Sequence, residues 1–517
     1  MAIYYSIPTL LLLVIPTALA FIILQRLYAH PLSNIPGPRI AALTTLWETY
    51  VDVFQGAGSQ FYSNLRGLHD KHGPIVRIGP NEVHISDPEW LRTLFGGPGT
   101  VRDKHPSLAH VAGSSMGTFG AVDHFQHRQR RSAAAPFFSK RAVKATEARV
   151  QAITERLCLK IDRCYKTGDR LNVRVTTLAW FTDAVASYVF DDPAQILGDQ
   201  ELSEQWYGMF EKMRGMYPLM KQALWIVPLS FQLPPQLVSI LSPNLSPLLK
   251  VHRDMTEQAK LFFDARRHGM TKETASEESP NLFRAILDSK LPEEDKDYHR
   301  IAHEGLEVLL AGSNTTSKVM SRAIFHINND AAIKVRLQEE LRRVMPDAGA
   351  VPYVDILKSS GYLNAVIKES VRIDHTFANR DPLVAHEDLV YAQYKLPAGT
   401  IISMTPGYTL HDPTIYPKPL SFRPERWLVE GEELAQMDHY FTGFGIGNRA
   451  CLGQTFAIST LTIGVAMLFR RYDFELVDTI EERDIANSRW WIIGEAAADS
   501  PGFFVRPTKS WRDGSMA

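Results

Sequence analysis

The decapeptide Phe444-Gly445-Ile446-Gly447-Asn448-Arg449-Ala450-Cys451-Leu452-Gly453 gathers more chemistry than any other stretch of the chain. Its lone cysteine stands just ahead of a segment with helical spacing, Gln454 to Phe469. A cysteine in that position has backbone N–H groups turned towards its sulfur, which favours the thiolate. The glycines let the backbone turn tightly and approach a flat ligand, and Arg449 can pair with an anionic group. Two plainer readings compete. Gly445-Ile446-Gly447-Asn448-Arg449-Ala450 fits the G-x-G-x-x-A dinucleotide pattern, but no convincing strand precedes it and no βαβ unit surrounds it. An inert core cysteine is the other, and it leaves the glycines unexplained. A thiolate ligand to haem iron accounts for the whole loop.

Three further clusters carry polar chemistry on helices. Ala311-Gly312-Ser313-Asn314-Thr315-Thr316 lies within an apolar helical run, where glycine and two threonines lower helix propensity. That choice makes room beside a polar groove, or else a kink without chemistry. Glu369 and Arg372 stand at i and i+3, by spacing alone an ordinary ion pair. The basic run His124 to Arg131 puts His127 and Arg131 on one face, with Arg128 and Arg130 pointing elsewhere.

Taken in order along the chain, these segments resemble the cytochrome P450 monooxygenases. The cysteine loop matches the family's F-G-x-G-x-R-x-C-x-G signature, Glu369-Ser370-Val371-Arg372 its E-x-x-R, and Phe422-Arg423-Pro424-Glu425-Arg426-Trp427 its P-E-R-F/W segment. The resemblance implies haem b held by Cys451, with Phe444 beside the iron and Arg449, His127, Arg131 and Arg380 near the propionates. It implies a buried structural network of Glu369, Arg372 and Arg426. Residues 311–316 are similar to the family's oxygen-activation motif, in which Thr315 positions a proton-delivering water. Asn314 departs from the pattern, since a carboxylate usually stands there, and an amide orients water without supplying a carboxylic proton. Glu307, two turns earlier, is a candidate substitute or a pocket residue.

The elements that must position these residues are mostly helical. Apolar residues at helical spacing predict helices over 141–165, 174–190, 203–222, 249–268, 298–328, 330–345 and 359–373. Ile75 to Ile78 and Val83 to Ser86 flank Gly79-Pro80-Asn81-Glu82 as a hairpin, and Thr400 to Met404 reads as a strand. The expected fold is mainly α with small β-sheets, the cytochrome P450 fold, as one body over 41–517. The charged stretch 269–297 reads as a solvated connection. The substrate pocket is expected from 103–120, 205–245, 304–315, 376–381 and the Trp490-Trp491-Ile492-Ile493 turn, with proline-rich 231–249 dipping into a membrane.

Ile3 to Leu24 carries no charge, and these 22 residues as helix span roughly 33 Å, enough to cross a hydrocarbon core of about 30 Å. Arg26, His30 and Arg39 follow it and nothing basic precedes it, which puts the remainder on the cytoplasmic side. A cleaved signal peptide is the alternative, but the basic n-region is absent. The expectation is a transmembrane anchor over 1–25 in the endoplasmic reticulum membrane, single-pass, and a proline-rich hinge over 26–40 with an extended path. Lys and Arg number 56 against 57 Asp and Glu, a net charge of −1, and no global field marks a nucleic-acid binder. Three cysteines make no disulfide framework, and Cys158 and Cys164 read as ordinary helix residues.

The functional expectation is a haem-thiolate monooxygenase of fungal secondary metabolism, of the kind that includes trichodiene oxygenase. It would act on an apolar, terpenoid or polycyclic substrate. Electrons would come from NADPH through a separate cytochrome reductase, with cytochrome b5 as a second donor and Arg128 and Arg130 as a docking surface. A haem-thiolate isomerase or dehydratase and a non-catalytic haem protein are the alternatives.

Overall fold

Long apolar-faced helices build most of the molecule, and the computed structural model describes residues 14–55, 60–97, 99–109, 116–190, 195–224, 246–268, 281–350, 352, 354–375, 379–490 and 492–512, with isolated positions at 229, 233, 234, 237 and 240. Pocket positions 110–115, 376–378 and 491, and most of the stretch 231–249, lie outside the described residues.

The chain divides into two compact units, each discontinuous in sequence: residues 1–105 with 380–405, and 106–379 with 406–517. The boundaries do not fall in the charged stretch 269–297. That stretch is not simply a connection either: Leu282–Leu287 is helical and buries Leu282, Phe283, Ile286 and Leu287.

In the first unit, β1 (Ile75–Gly79) and β2 (Glu82–Ile85) pair antiparallel with Ile75 opposite Ile85, as the hairpin pattern predicts. With β3 (Arg102–Lys104), β4 (Asp381–Ala385) and β5 (Ile401–Met404) they form a five-stranded sheet in the order β1-β2-β5-β4-β3. β2 and β5 run parallel, the other pairs antiparallel.

Residues 14–24 are helical and run into a π-helical turn at Gln25–Ala29. Among the described residues no helix is long and apolar enough to cross a membrane, and residues 1–13 are not described. The hinge is not extended. Ser33 N–H donates to His30 O at 2.9 Å and Ile35 N–H to Leu32 O at 3.1 Å, two turns that precede a short helix at Arg39–Leu43.

The second unit holds the long helices α1 (His124–Ala134), α2 (Val173–Val189), α3 (Gln200–Gln222), α4 (Ser246–Arg267), α5 (Tyr298–Asn329), α6 (Gly361–Asp374) and α7 (Gln454–Arg471). Their bounds differ from the periodicity reading by a few residues at most. The stretch expected as one helix over 141–165 breaks at Thr146 into Lys140–Ala145 and Glu147–Thr167. Thr146 caps the first piece through its hydroxyl, which donates to Val143 O at 2.8 Å. Every residue of α2 except Arg174 is buried, the pattern of a helix enclosed on all sides. It packs along α5, where a Cβ on Gly312 would already stand 3.0 Å from Val185. A three-stranded antiparallel sheet closes the unit, with Phe504–Ser510 between Leu171–Asn172 and Tyr472–Val477. Cys158 and Cys164 both lie in the helix Glu147–Thr167, and Cys158 accepts a hydrogen bond from Arg471 at 3.4 Å.

Candidate functional site

The cysteine loop folds back on itself before α7. Gly445 and Gly447 take φ of 70° and 71°, the left-handed region that a side chain resists, and Gly447–Arg449 forms a 3-10 turn. Cys451 N–H then donates to Phe444 O at 2.7 Å, closing the loop with the cysteine three residues ahead of the helix. The thiol has an exposed surface. It is nevertheless raised by burial, with the Gly453 N–H and Arg131 pulling it down.

A matching feature lies on α5. In the middle of this 32-residue helix, Ala311 is exposed and Gly312 and Thr315 are half-buried, although most of the helix is buried. Thr315 Oγ1 donates to Ala311 O at 2.8 Å, so its hydroxyl proton is spent on the helix and its two lone pairs remain as acceptors. Asn314 is held from another helix: Arg214 of α3 donates to its Oδ1 at 3.3 Å. Arg214 in turn pairs with Glu495 at 3.0 Å and with Glu211, and Glu495 pairs with Arg174. Burial opposes the Glu495 charge, but Arg214, Arg174 and Lys318 hold its carboxyl at about 2. Lys318, four residues beyond Asn314, is pushed down to about 8 by burial and Arg322, with Asp374 pulling the other way. Nothing local in the sequence signals this network, whose members come from five separate segments.

Glu307 is held by backbone donors. Its carboxylate accepts the N–H groups of Phe119 at 2.9 Å and Gly120 at 3.2 Å, while Glu304 accepts that of Thr118 at 2.9 Å. Both acids tie the segment 117–120 to α5.

The Glu369 network is as expected in its three members and larger in extent. Arg372 makes a two-pronged pair with Glu369, both contacts at 2.8 Å, and Arg426 Nε reaches Oε1 at 3.0 Å. Trp427 Nε1 and the Arg423 backbone N–H, both at 2.9 Å, complete the shell. Arg372 also donates to Leu410 O and Pro419 O, fixing the approach to the Arg426 segment. The link to the cysteine loop is apolar. The Trp427 ring meets Phe441 edge-on at 5.5 Å, and a Cβ on Gly443 would stand 2.5 Å from Val371 of α6. Glycine at 443 is therefore what lets the loop lie against the helix that carries Glu369. Trp427 directly follows Arg426, so the P-E-R-W string already contained this missed member.

The basic helix α1 divides its residues differently from expectation. His127 is buried, Arg131 is half-buried, and Arg128 is exposed. Burial lowers Arg131 and the Cys451 sulfur raises it, which places the cation within electrostatic reach of the thiol. Arg449 donates to Ala121 O at 2.9 Å and Val122 O at 3.0 Å, joining the cysteine loop to the start of α1. Arg130 is not a docking residue. It is buried, bonds Met116 O at 2.9 Å, and pairs with Asp295 at 2.8 Å.

Arg380 is likewise redirected. It belongs to the first unit, where its guanidinium makes four contacts to Glu48 and Glu82, the closest at 2.6 Å, all buried. Four of its five N–H groups go to these two carboxylates, so the charge expected beside a propionate is already paired within the first unit.

The remaining donor set fits haem b: an accessible cysteine beside a backbone donor and a cation, a glycine-turned loop, and an open helix face carrying Thr315. Of the expected pocket segments, Leu108, Tyr217, Phe119 and Ile492 form one apolar cluster, and Asn379 donates to the Tyr217 hydroxyl at 2.6 Å.

Comparison with known proteins agrees with this geometry. The family model described as cytochrome P450 matches residues 43–494. An N-acetyltryptophan 6-hydroxylase of Emericella nidulans is 32% identical over 92% of this chain and 93% of its own length. A tryptophan 6-hydroxylase of Fusarium equiseti is 31% identical over 88% of both chains. The cytochrome P450 monooxygenase TRI4 of Fusarium sporotrichioides is 29% identical over 90% of this chain and 88% of its own. With the thiolate loop, the Glu369 network and the open face of α5 in one unit, the chain belongs to the cytochrome P450 family of haem-thiolate monooxygenases.

Proposed function

We propose that this protein inserts one oxygen atom from dioxygen into an apolar, ring-bearing secondary metabolite, with electrons passed from NADPH by a separate flavoprotein reductase. The observation that carries the reading is the presence, in one unit, of an exposed Cys451 and of the open Ala311–Thr315 face of α5. Bound at Cys451, the haem supplies dioxygen activation by two-electron reduction. Arg131, His127 and Arg449 would hold its carboxylates. Phe444, half-buried at the start of the loop, would limit water beside the sulfur.

The chain's own residues manage protons and water. Thr315 Oγ1, its proton committed to Ala311 O, accepts from a water on the open face. A guanidinium only donates, so Arg214 fixes Oδ1 of Asn314 towards itself and turns the Nδ2 donor away. The side-chain pair orients water without releasing a proton of its own, and the proton comes from solvent through that water.

For the substrate, the resemblance favours a terpenoid or other polycyclic compound. The names of two relatives favour an indole ring instead, and the apolar cluster around Tyr217, with a single Asn379 contact, suits a flat ring bearing one polar group. Residues 1–25 serve as the membrane anchor, supported by the exposed apolar side chains Val14, Ile15, Leu19, Phe21, Ile22, Ile23 and Leu24. That anchor would set the catalytic unit on the cytoplasmic face of the endoplasmic reticulum. The test is product formation by the holoprotein with N-acetyltryptophan, tryptophan and a sesquiterpene hydrocarbon. Oxygenated product requiring both NADPH and dioxygen supports the reading, and product formed without either sinks it in favour of isomerisation or dehydration.

A further inference from the structure

A cavity of about 380 Å³ opens beneath the hinge of the first unit, lined by backbone and side chains from Leu27 and Tyr28, from 33–39, from Ala42 and from Arg77. Its lining contains two arginines, Arg39 and Arg77, together with Ser33 and Asn34, and no carboxylate. Arg77 is 3% exposed. Two of its nitrogens donate to Arg26 O at 2.8 Å and Pro80 O at 2.6 Å, while its Nε–H has no acceptor among the described residues. Among the described residues no carboxylate lines the cavity or pairs with Arg77. Burial and then Arg26 lower Arg77, and burial, Arg77 and Arg26 lower His30, with no acid opposing either shift. A buried arginine without an anion is costly, and natural proteins pair it or present it to an anionic ligand.

The hinge is built tightly around this arginine. Arg77 N–H donates to Pro36 O at 2.7 Å, and a Cβ on Gly37 would stand 2.3 Å from Arg77 O, so only glycine lets the hinge approach the strand. Leu27 follows the uncharged run by only three residues. Nearby surface in the same unit is apolar. Leu46, Tyr50, Val53 and Phe54 form one exposed stripe along the helix Leu46–Phe54, and Tyr28 and Ile40 are exposed too. A stripe of that kind next to a cationic pocket suits a bilayer surface, where apolar side chains enter the acyl boundary and arginines meet phosphates.

We propose that the hinge cavity binds the phosphate of a phospholipid headgroup, with Arg39 at its rim and Arg77 at its floor. The site would fix the first unit against the lipid surface at a set depth, a task the anchor alone does not perform.

The test uses the full-length holoprotein in vesicle co-flotation. Vesicles of galactosyl diacylglycerol, which lack phosphate, are compared with the same vesicles containing phosphatidate. Arg39→Glu and Arg77→Gln are compared with Arg92→Glu, an exposed cation outside the cavity lining. The expected result is tighter binding to phosphatidate vesicles, reduced about five-fold for each charge removed from the cavity and unchanged by Arg92→Glu. Binding to the phosphate-free vesicles should stay the same in all variants, and the carbon-monoxide spectrum confirms that each is folded. Equal losses for Arg92→Glu would assign the effect to diffuse surface charge and overturn the proposal. Full competition by inorganic phosphate would overturn the lipid assignment in favour of a free-anion site.

Discussion

Arg214 and Asn314, one hundred residues apart, are joined by a hydrogen bond of 3.3 Å from guanidinium to amide oxygen, and this contact takes the place that an acid would fill in the oxygen-activation motif. Arg214 is already neutralised by Glu495 and Glu211, so the asparagine adds a partner without adding charge. Asn314→Ala should leave haem binding intact and lower the fraction of NADPH electrons that reach product several-fold. Asn314→Asp, which can ion-pair with Arg214, should restore coupling. The readout is product formed per NADPH consumed.

Thr315→Ala removes the acceptor that Ala311 O orients. Turnover should fall on the order of 100-fold, with hydrogen peroxide rising in proportion, while Thr315→Ser recovers most of the activity. An unchanged product-to-peroxide ratio in Thr315→Ala would contradict this role.

Glu369 accepts five hydrogen bonds, two from Arg372 and one each from Arg426, Trp427 and the Arg423 N–H. Glu369→Ala strands two buried guanidinium groups and should cost about 3–5 kcal/mol, enough to lose the loop geometry behind Cys451. The expected outcome is haem-depleted protein, checked by haem content per chain. Normal haem content would contradict the account.

The Glu495 carboxyl, held at about 2 against an ordinary 4.5, favours the folded state at neutral pH. Its folded value lies below its unfolded one, so the contribution is complete above pH 4.5 and disappears as pH falls towards 2. The difference amounts to about 3 kcal/mol. Glu495→Gln should therefore be less stable than the parent at neutral pH, and the gap should close on acidification through that window, as followed by chemical denaturation at each pH.

Arg128 and Arg130, adjacent in the basic run but for one residue, separate in the structure. Arg130→Ala should destabilise the fold by about 3 kcal/mol through its buried pair with Asp295. Arg128→Glu, at an exposed position, should leave stability within about 0.5 kcal/mol and slow reduction by the flavoprotein instead. Unfolding and stopped-flow reduction distinguish the two.

These contrasts show what was legible in the sequence. Helices with a continuous apolar face, such as α5, were readable because 3.6-residue spacing is local. The cysteine loop was readable because its glycines and cysteine are contiguous. Glu369 and Arg372 are visible as a pair by spacing, but their burial is legible only through the family resemblance, since it depends on Trp427 and the 417–423 segment folding over them. The Arg214–Glu495–Arg174 network was invisible, because charge pairing across hundreds of residues leaves no periodicity. The partners of Arg380 and Glu307 were invisible for the same reason: Glu48 and Glu82 for one and the 119–120 backbone for the other are distant in sequence.

The central claim is that Cys451 supplies the thiolate of a haem site. The reduced carbon-monoxide difference spectrum of the purified protein tests it directly, with Cys451→Ala alongside. The parent should show the thiolate-type Soret band and Cys451→Ala should lack it. A parent without that band, or a Cys451→Ala variant that retains it, would contradict the account.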